Sequence, residues 1–247
     1  MRRNPTIGVL ALAAALTVTA CARHDTARPV PPTGITPGMP TPARPVSNLP
    51  PCGDIASAST PPDCVLQSRD SAGLAFEVRH LHGGITITVL DRTGNQLQTL
   101  TEPDTWTPAE PHLRDLDSNG RDEVIIPVYG ATSNIRYVIY HATGDATRFQ
   151  RAGELSGIGI DTSTTGYVAV TAHDGYAFWN VGFWVFDADL LKPVVTAHVE
   201  LLDDGTGKVS GSKCTVTDEG GLGRTGLDLD QAGTQFCAEP AVARVMR

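Results

Sequence analysis

Residues 115–123 read DLDSNGRDE, and their side chains could hold a hard cation. Counted from Asp115, oxygen-bearing side chains fall at positions 1, 3, 5 and 9: Asp115, Asp117, Asn119 and Glu123. Gly120 stands at position 6, where the chain must turn sharply. Arg121 at position 7 offers its backbone carbonyl. Calcium needs roughly six or more oxygens, and only a tightly wound chain brings them together. Asp115, Asp117, Asn119, Arg121 and Glu123 are therefore candidate ligands of one structural calcium ion. The same residue types also make plain turns, in which Asx side chains accept from backbone amides without metal. Both readings stand at this level.

Nothing else in the chain offers catalytic chemistry of comparable quality. GLGRTG (221–226) has the spacing of a dinucleotide loop, but no strand–helix frame surrounds it. GTGKVS (205–210) places Val209 where a phosphate loop needs Ser or Thr. His80 and His82 would share one face of a strand and could bind a transition metal, but a third ligand is not identifiable. No G-x-S-x-G occurs, and His173 and Asp174, adjacent on a strand, would point to opposite faces. The chain is read as a non-enzyme.

The elements that must position these groups begin with an export signal. Arg2 and Arg3 precede an apolar segment, residues 7–18, too short for a lasting membrane span. It ends in VTAC (18–21), which resembles the lipobox of bacterial lipoproteins. That resemblance implies a signal peptide over 1–20, acylation of Cys21, and a lipid anchor on the extracytoplasmic face of a membrane. The segment 21–51 then reads as the acylated cysteine and a proline-rich, extended tether. Losing Arg2 and Arg3 leaves 17 basic against 27 acidic residues, a net charge of −10. Such a balance argues against a nucleic-acid partner.

Residues 52–247 carry the folded part. Cys52, Cys64, Cys214 and Cys237 are an even set in an exported chain, which suits disulfides. Of the three possible pairings the local ones, Cys52 with Cys64 and Cys214 with Cys237, are favoured because each closes a floppy loop. The apolar pattern has period two: 74–81, 85–91, 123–130, 134–142, 166–172, 177–187 and 193–202 all suit strands. RTGN (92–95) and DDGTG (203–207) read as turns. Pro127 predicts a bulge or an edge position. AFWNVGFWVFD (177–187) is bulky on both parities and should be a central strand covered on both sides. No helical period is apparent beyond the export signal. The expected fold is all-β: one compact antiparallel domain, propeller-like or barrel-like.

The acidic loop in this β setting resembles the D-x-D-x-[DN]-G-x-[DE] calcium loops of integrin-type propeller repeats, though a single copy is present. After it come an apolar strand, an ATSN link (131–134), an aromatic strand, an ELS step (154–156) and a closing aromatic hairpin. That order over residues 85–203 resembles the periplasmic inhibitors of invertebrate-type lysozyme. It is also similar to the lipoproteins that protect bacteria from lysozyme effectors. The resemblance implies a compact β domain that binds a muramidase through a loop. Carried over, the loop is AHDGYAFWN (172–180), exposing Asp174, Gly175 and Tyr176 between His173 and Trp179. The Ser-Gly-x-Tyr tetrapeptide of those inhibitors is missing, since SGIG (156–159) lacks the tyrosine. A scaffolding lipoprotein of the envelope is the rival expectation.

Overall fold

The computed structural model describes residues 46–53, 62–103, 105, 110–130, 133–143 and 147–246. The export signal, Cys21 and most of the proline-rich tether lie outside the described residues.

Among the described residues, thirteen strands form three antiparallel sheets. The first contains β1 (Cys64–Gln67), β2 (Ala75–Leu81), β3 (Gly84–Leu90) and β4 (Gln96–Pro103). The second contains β5 (His112–Arg114), β6 (Glu123–Gly130), β7 (Ile135–Ala142) and β8 (Phe149–Gly157). The third contains β9 (Gly159–Thr162), β10 (Val168–His173), β11 (Phe178–Asp187), β12 (Leu190–Asp203) and β13 (Val209–Asp218). Neighbours in sequence are neighbours in space throughout, so each sheet is an up-and-down meander. None closes on itself, which removes the barrel-like alternative.

The second sheet is the middle layer. Val124, Ile126 and Val138 face the first sheet, packing with Phe76, Ile87 and Val89. Ile125, Ile139 and Leu155 face the third, packing with Val168 and Val170. This two-sided burial explains why β6 reads as an unbroken apolar run instead of an alternation. Pro127 sits at a register shift against β7. On the other side β5 pairs only as far as Ile125, so the missing N–H of Pro127 breaks no ladder there.

β11 is central in the third sheet and covered on both sides, as its aromatic content requires. Val181 and Phe183 enter one core, and Trp184 and Phe186 pack against the other. The outer side of that sheet is closed by two helices that the sequence reading misses. They are α1 (Leu229–Cys237) and α2 (Pro240–Val245). Both are too short to show a convincing apolar period. Their sequence signals lie at the ends: a reciprocal capping box between Asp228 and Gln231, and proline in the first turn of α2. Ala232, Phe236, Ala241 and Val242 are buried beneath them.

Both disulfides form, Cys52 with Cys64 and Cys214 with Cys237. The second ties α1 to β13. Of the expected histidine pair only His80 lies in β2, while His82 falls in the following turn, so the two share no strand face.

Candidate functional site

The segment 172–180 is the tip of the β10–β11 hairpin. Asp174, Gly175 and Tyr176 are exposed, and Tyr176 is 97% accessible. Gly175 has φ +105°, a conformation that disfavours any side chain. The tip stands on a braced base. The Asn134 side chain both donates to the carbonyl of His173 and accepts from its amide, at 3.0 and 2.9 Å. The His173 ring meets Trp179 edge-on at 4.6 Å, and both residues are half-buried. The Asp174 amide donates to Phe178 across the hairpin. Phe178 itself is 49% exposed, so two rings project at this end.

A hydrogen-bonded chain runs along the flank of the hairpin. Asn180 donates to Asp174 at 2.9 Å, His198 Nδ1 meets Asn180 Oδ1 at 2.7 Å, and Nε2 meets Thr217 Oγ1 at 2.9 Å. A hydroxyl, an imidazole and an amide in sequence are the parts of a nucleophile and its base. Here the hydroxyl lies on an exposed sheet face and is also within 3.2 Å of Glu219. The adjoining groove is about 220 Å³, below the ~300–1,000 Å³ usual for a ligand pocket. The chain of bonds therefore braces the hairpin.

The acidic loop between β5 and β6 divides its side chains between two tasks. Asp115 accepts from the amides of Asn119 and Gly120, at 3.1 and 2.9 Å. Asn119 Oδ1 accepts from the Arg121 amide at 2.7 Å. The Arg121 guanidinium is turned to Asp70, 3.0 Å away. Asp117 accepts from the amide and the side chain of Asn119, at 3.2 and 3.1 Å, and it also converges with Glu123 on a residue the sequence reading leaves out, His141 on β7. Glu123 is completely buried; its Oε2 accepts from the Leu116 amide at 2.7 Å, and its Oε1 has no hydrogen-bond partner. His141 Nε2 lies 3.4 Å from Asp117 Oδ2 and 3.9 Å from Glu123 Oε1, ion-pair distances without hydrogen-bond geometry. Its Nδ1 is 3.0 Å from Asp189, and its ring stacks on Phe186 at 4.0 Å.

Burial dominates the electrostatics. It pushes the Glu123 carboxyl up to about 8, and the nearby Asp117 charge adds to the rise against the Leu116 amide, His141 and the Ala142 amide. Desolvation alone would lower His141, but Asp117, Glu123 and Asp189 outweigh it and raise it. Asp117 is likewise desolvated, yet the neighbouring His141 imidazole and its hydrogen bonds from Asn119 hold it below the ordinary range. Sequence could have pointed to His141 only through register. Val124 pairs with Tyr140, so the next step of the ladder sets Glu123 against His141.

No known family model, curated protein or solved structure matches this chain.

Proposed function

We propose that this protein is an exported, lipid-anchored binding module that engages another protein through the tip of the β10–β11 hairpin. The observation that carries the reading is the 97% exposure of Tyr176 on a rigid, doubly braced hairpin. Tyrosine offers a large contact surface with few rotatable bonds and so loses little entropy on binding. Phe178, half exposed at the same end of the hairpin, adds a second ring where it lines the adjoining groove. A polar groove containing Asp174, His198 and Lys213 flanks one side, and a more apolar one with Ile158, Trp179 and Leu201 the other. A ridge between grooves suits insertion into a cleft better than docking on a flat face.

A muramidase is the partner class favoured by the strand order and acidic loop described above. Such an enzyme carries cleft carboxylates that meet sugar hydroxyls, and the phenol of Tyr176 can offer them a hydroxyl in place of sugar. Acylation at Cys21 would hold the module at the membrane, with residues 22–51 as its spacer. The test is cell-wall lysis by muramidases of the chicken, goose and invertebrate types, measured with increasing amounts of the full chain. Inhibition should fall at least tenfold in Tyr176→Ala, with folding unaffected. Failure of the folded chain to bind or inhibit any of them would favour the scaffolding role.

A further inference from the structure

Among the described residues, two buried glutamates besides Glu123 are each held by at least two donors. Glu102, 5% exposed, accepts from the Tyr140 hydroxyl at 2.7 Å and from Arg151 at 2.9 Å. Glu239, 2% exposed, accepts from the Thr164 amide and from the hydroxyls of Thr164 and Thr165. Glu123 is the exception. Its side chain is fully buried and one oxygen faces, without a partner, an imidazole nitrogen that is also without one.

We propose that Asp117, Glu123 and His141 bind one divalent transition-metal ion of the zinc or manganese class, with Asp189 as the positioning residue for the imidazole. Three donor atoms, one from each residue, lie within 4.8 Å of one another. Zinc bonds of about 2.0–2.1 Å in tetrahedral geometry set ligand atoms roughly 3.3 Å apart. The 3.4 and 3.9 Å separations from Nε2 need little contraction to match.

The surroundings are those of a held ligand. A metal-bound imidazole commonly donates its other N–H to a carboxylate, which fixes the tautomer and aims the lone pair. Asp189 supplies that carboxylate on Nδ1, and the Leu116 amide orients Glu123 in the same way. Asp189 is delivered by the two-residue turn between β11 and β12, where Ala188 and Asp189 adopt φ of +48° and +64°. Positive φ at both positions is what a two-residue hairpin turn of this kind requires, and it fixes where the Asp189 side chain emerges. Imidazole also decides the type of ion, because calcium prefers an all-oxygen shell while nitrogen with carboxylates suits zinc or manganese. The two carboxylates neutralise a dication in a pocket walled by Phe186.

The proposal is independent of partner binding and is tested without it. The full chain is stripped with chelator, dialysed, and offered Zn²⁺, Mn²⁺ or Ca²⁺ separately, and bound metal and melting temperature are recorded. One Zn²⁺ or Mn²⁺ per chain is expected, and at about 100 times Kd a rise in melting temperature of roughly 5–10 °C. Glu123→Gln and His141→Gln should each weaken binding at least tenfold. Asp189→Asn should weaken it by about 10–100-fold, and Asp115→Asn should leave it unchanged. Near-UV circular dichroism identifies any variant that has lost its fold; such a variant is replaced by the milder Asp117→Asn, expected to show the same weakening. The proposal is overturned by a wild-type chain that takes up neither Zn²⁺ nor Mn²⁺. Uptake indifferent to His141, or calcium binding that depends on Asp115, overturns it as well.

Discussion

Strand β7 carries Tyr140 and His141 side by side, and because successive side chains alternate, the two look into different cores. Tyr140 meets the buried Glu102 on the side of the first sheet, and His141 meets the buried Glu123 on the side of the third. The two carboxylates fare differently. Glu102 gains a hydroxyl and a guanidinium, and the Arg151 end of that bond is 42% exposed, so solvent shares the charge. Burial and the Glu102 carboxylate together push the Tyr140 phenol upward, which keeps it a hydrogen-bond donor across the ordinary pH range. Glu123 accepts from the Leu116 amide and is further favoured by the Ala142 amide, its Oε1 has no hydrogen-bond partner, and it holds its proton to about pH 8. One strand thus separates a carboxylate held by a hydroxyl and a guanidinium from one whose inner oxygen has no hydrogen-bond partner. A buried charge without a full set of partners costs free energy, and a protein retains one where something else completes it.

The largest difference between the two sides should appear as a pH dependence of the metal-free protein. Glu123 is raised from 4.5 when unfolded to about 8 when folded, so the native state keeps a proton that the unfolded state releases. Stability should therefore fall as pH rises across that window, by up to about 1.4 kcal/mol per pH unit. His141 acts in the same sense: its raised pKa contributes stability below 6.5 that is lost as pH rises through the folded value. Urea unfolding in chelator from pH 5 to 9 measures the slope, and Glu123→Gln should remove most of it. A flat profile in the wild-type chain would show that Glu123 is as well partnered as Glu102.

Truncation is the next test. Glu123→Ala leaves a void and an orphaned Leu116 amide, and should cost about 2–4 kcal/mol. Glu123→Gln keeps the shape and the amide bond and should stay within about 1 kcal/mol in chelator. A comparable loss in both would mean that the charge of Glu123 matters without metal, contrary to the comparison. On the other side of β7, Tyr140→Phe removes one bond to a charged acceptor and should cost about 1–2 kcal/mol. That cost should be the same with metal and with chelator, since Glu102 lies on the opposite side of β7 from the proposed metal ligands. The smallest effect belongs to Tyr176→Ala, where loss of an exposed side chain should leave unfolding within about 0.5 kcal/mol. Its consequence should appear only in partner binding.

Much of this architecture was legible along the chain. Period-two apolar segments set strands wherever one face meets a core, and Pro127 marked the register irregularity found in β6. The bulky residues of β11 signalled cover on both faces, and the short cysteine spacings matched the disulfides that form. These features are local, or depend only on alternation and nearby loop closure. The terminal helices were missed because nine and six residues cannot display a period, and their identity rests on caps and on the surface they cover.

The acidic cluster shows where local reading stops. From residue types alone, 115–123 had five candidate cation ligands, and the same pattern equally described a turn. Chain order determines that Asp115 and Asn119 can reach the amides of their own loop, because an Asx side chain spans only two to five residues. Which oxygens face inward was decided by tertiary structure. The β6–β7 register sets His141 against Glu123 from 18 residues away in sequence, and a turn in another sheet brings Asp189 to its far side. No spacing rule encodes that meeting. It depends on the packing of the second sheet against the third, which removes water from Glu123 and gives the cluster its electrostatic character.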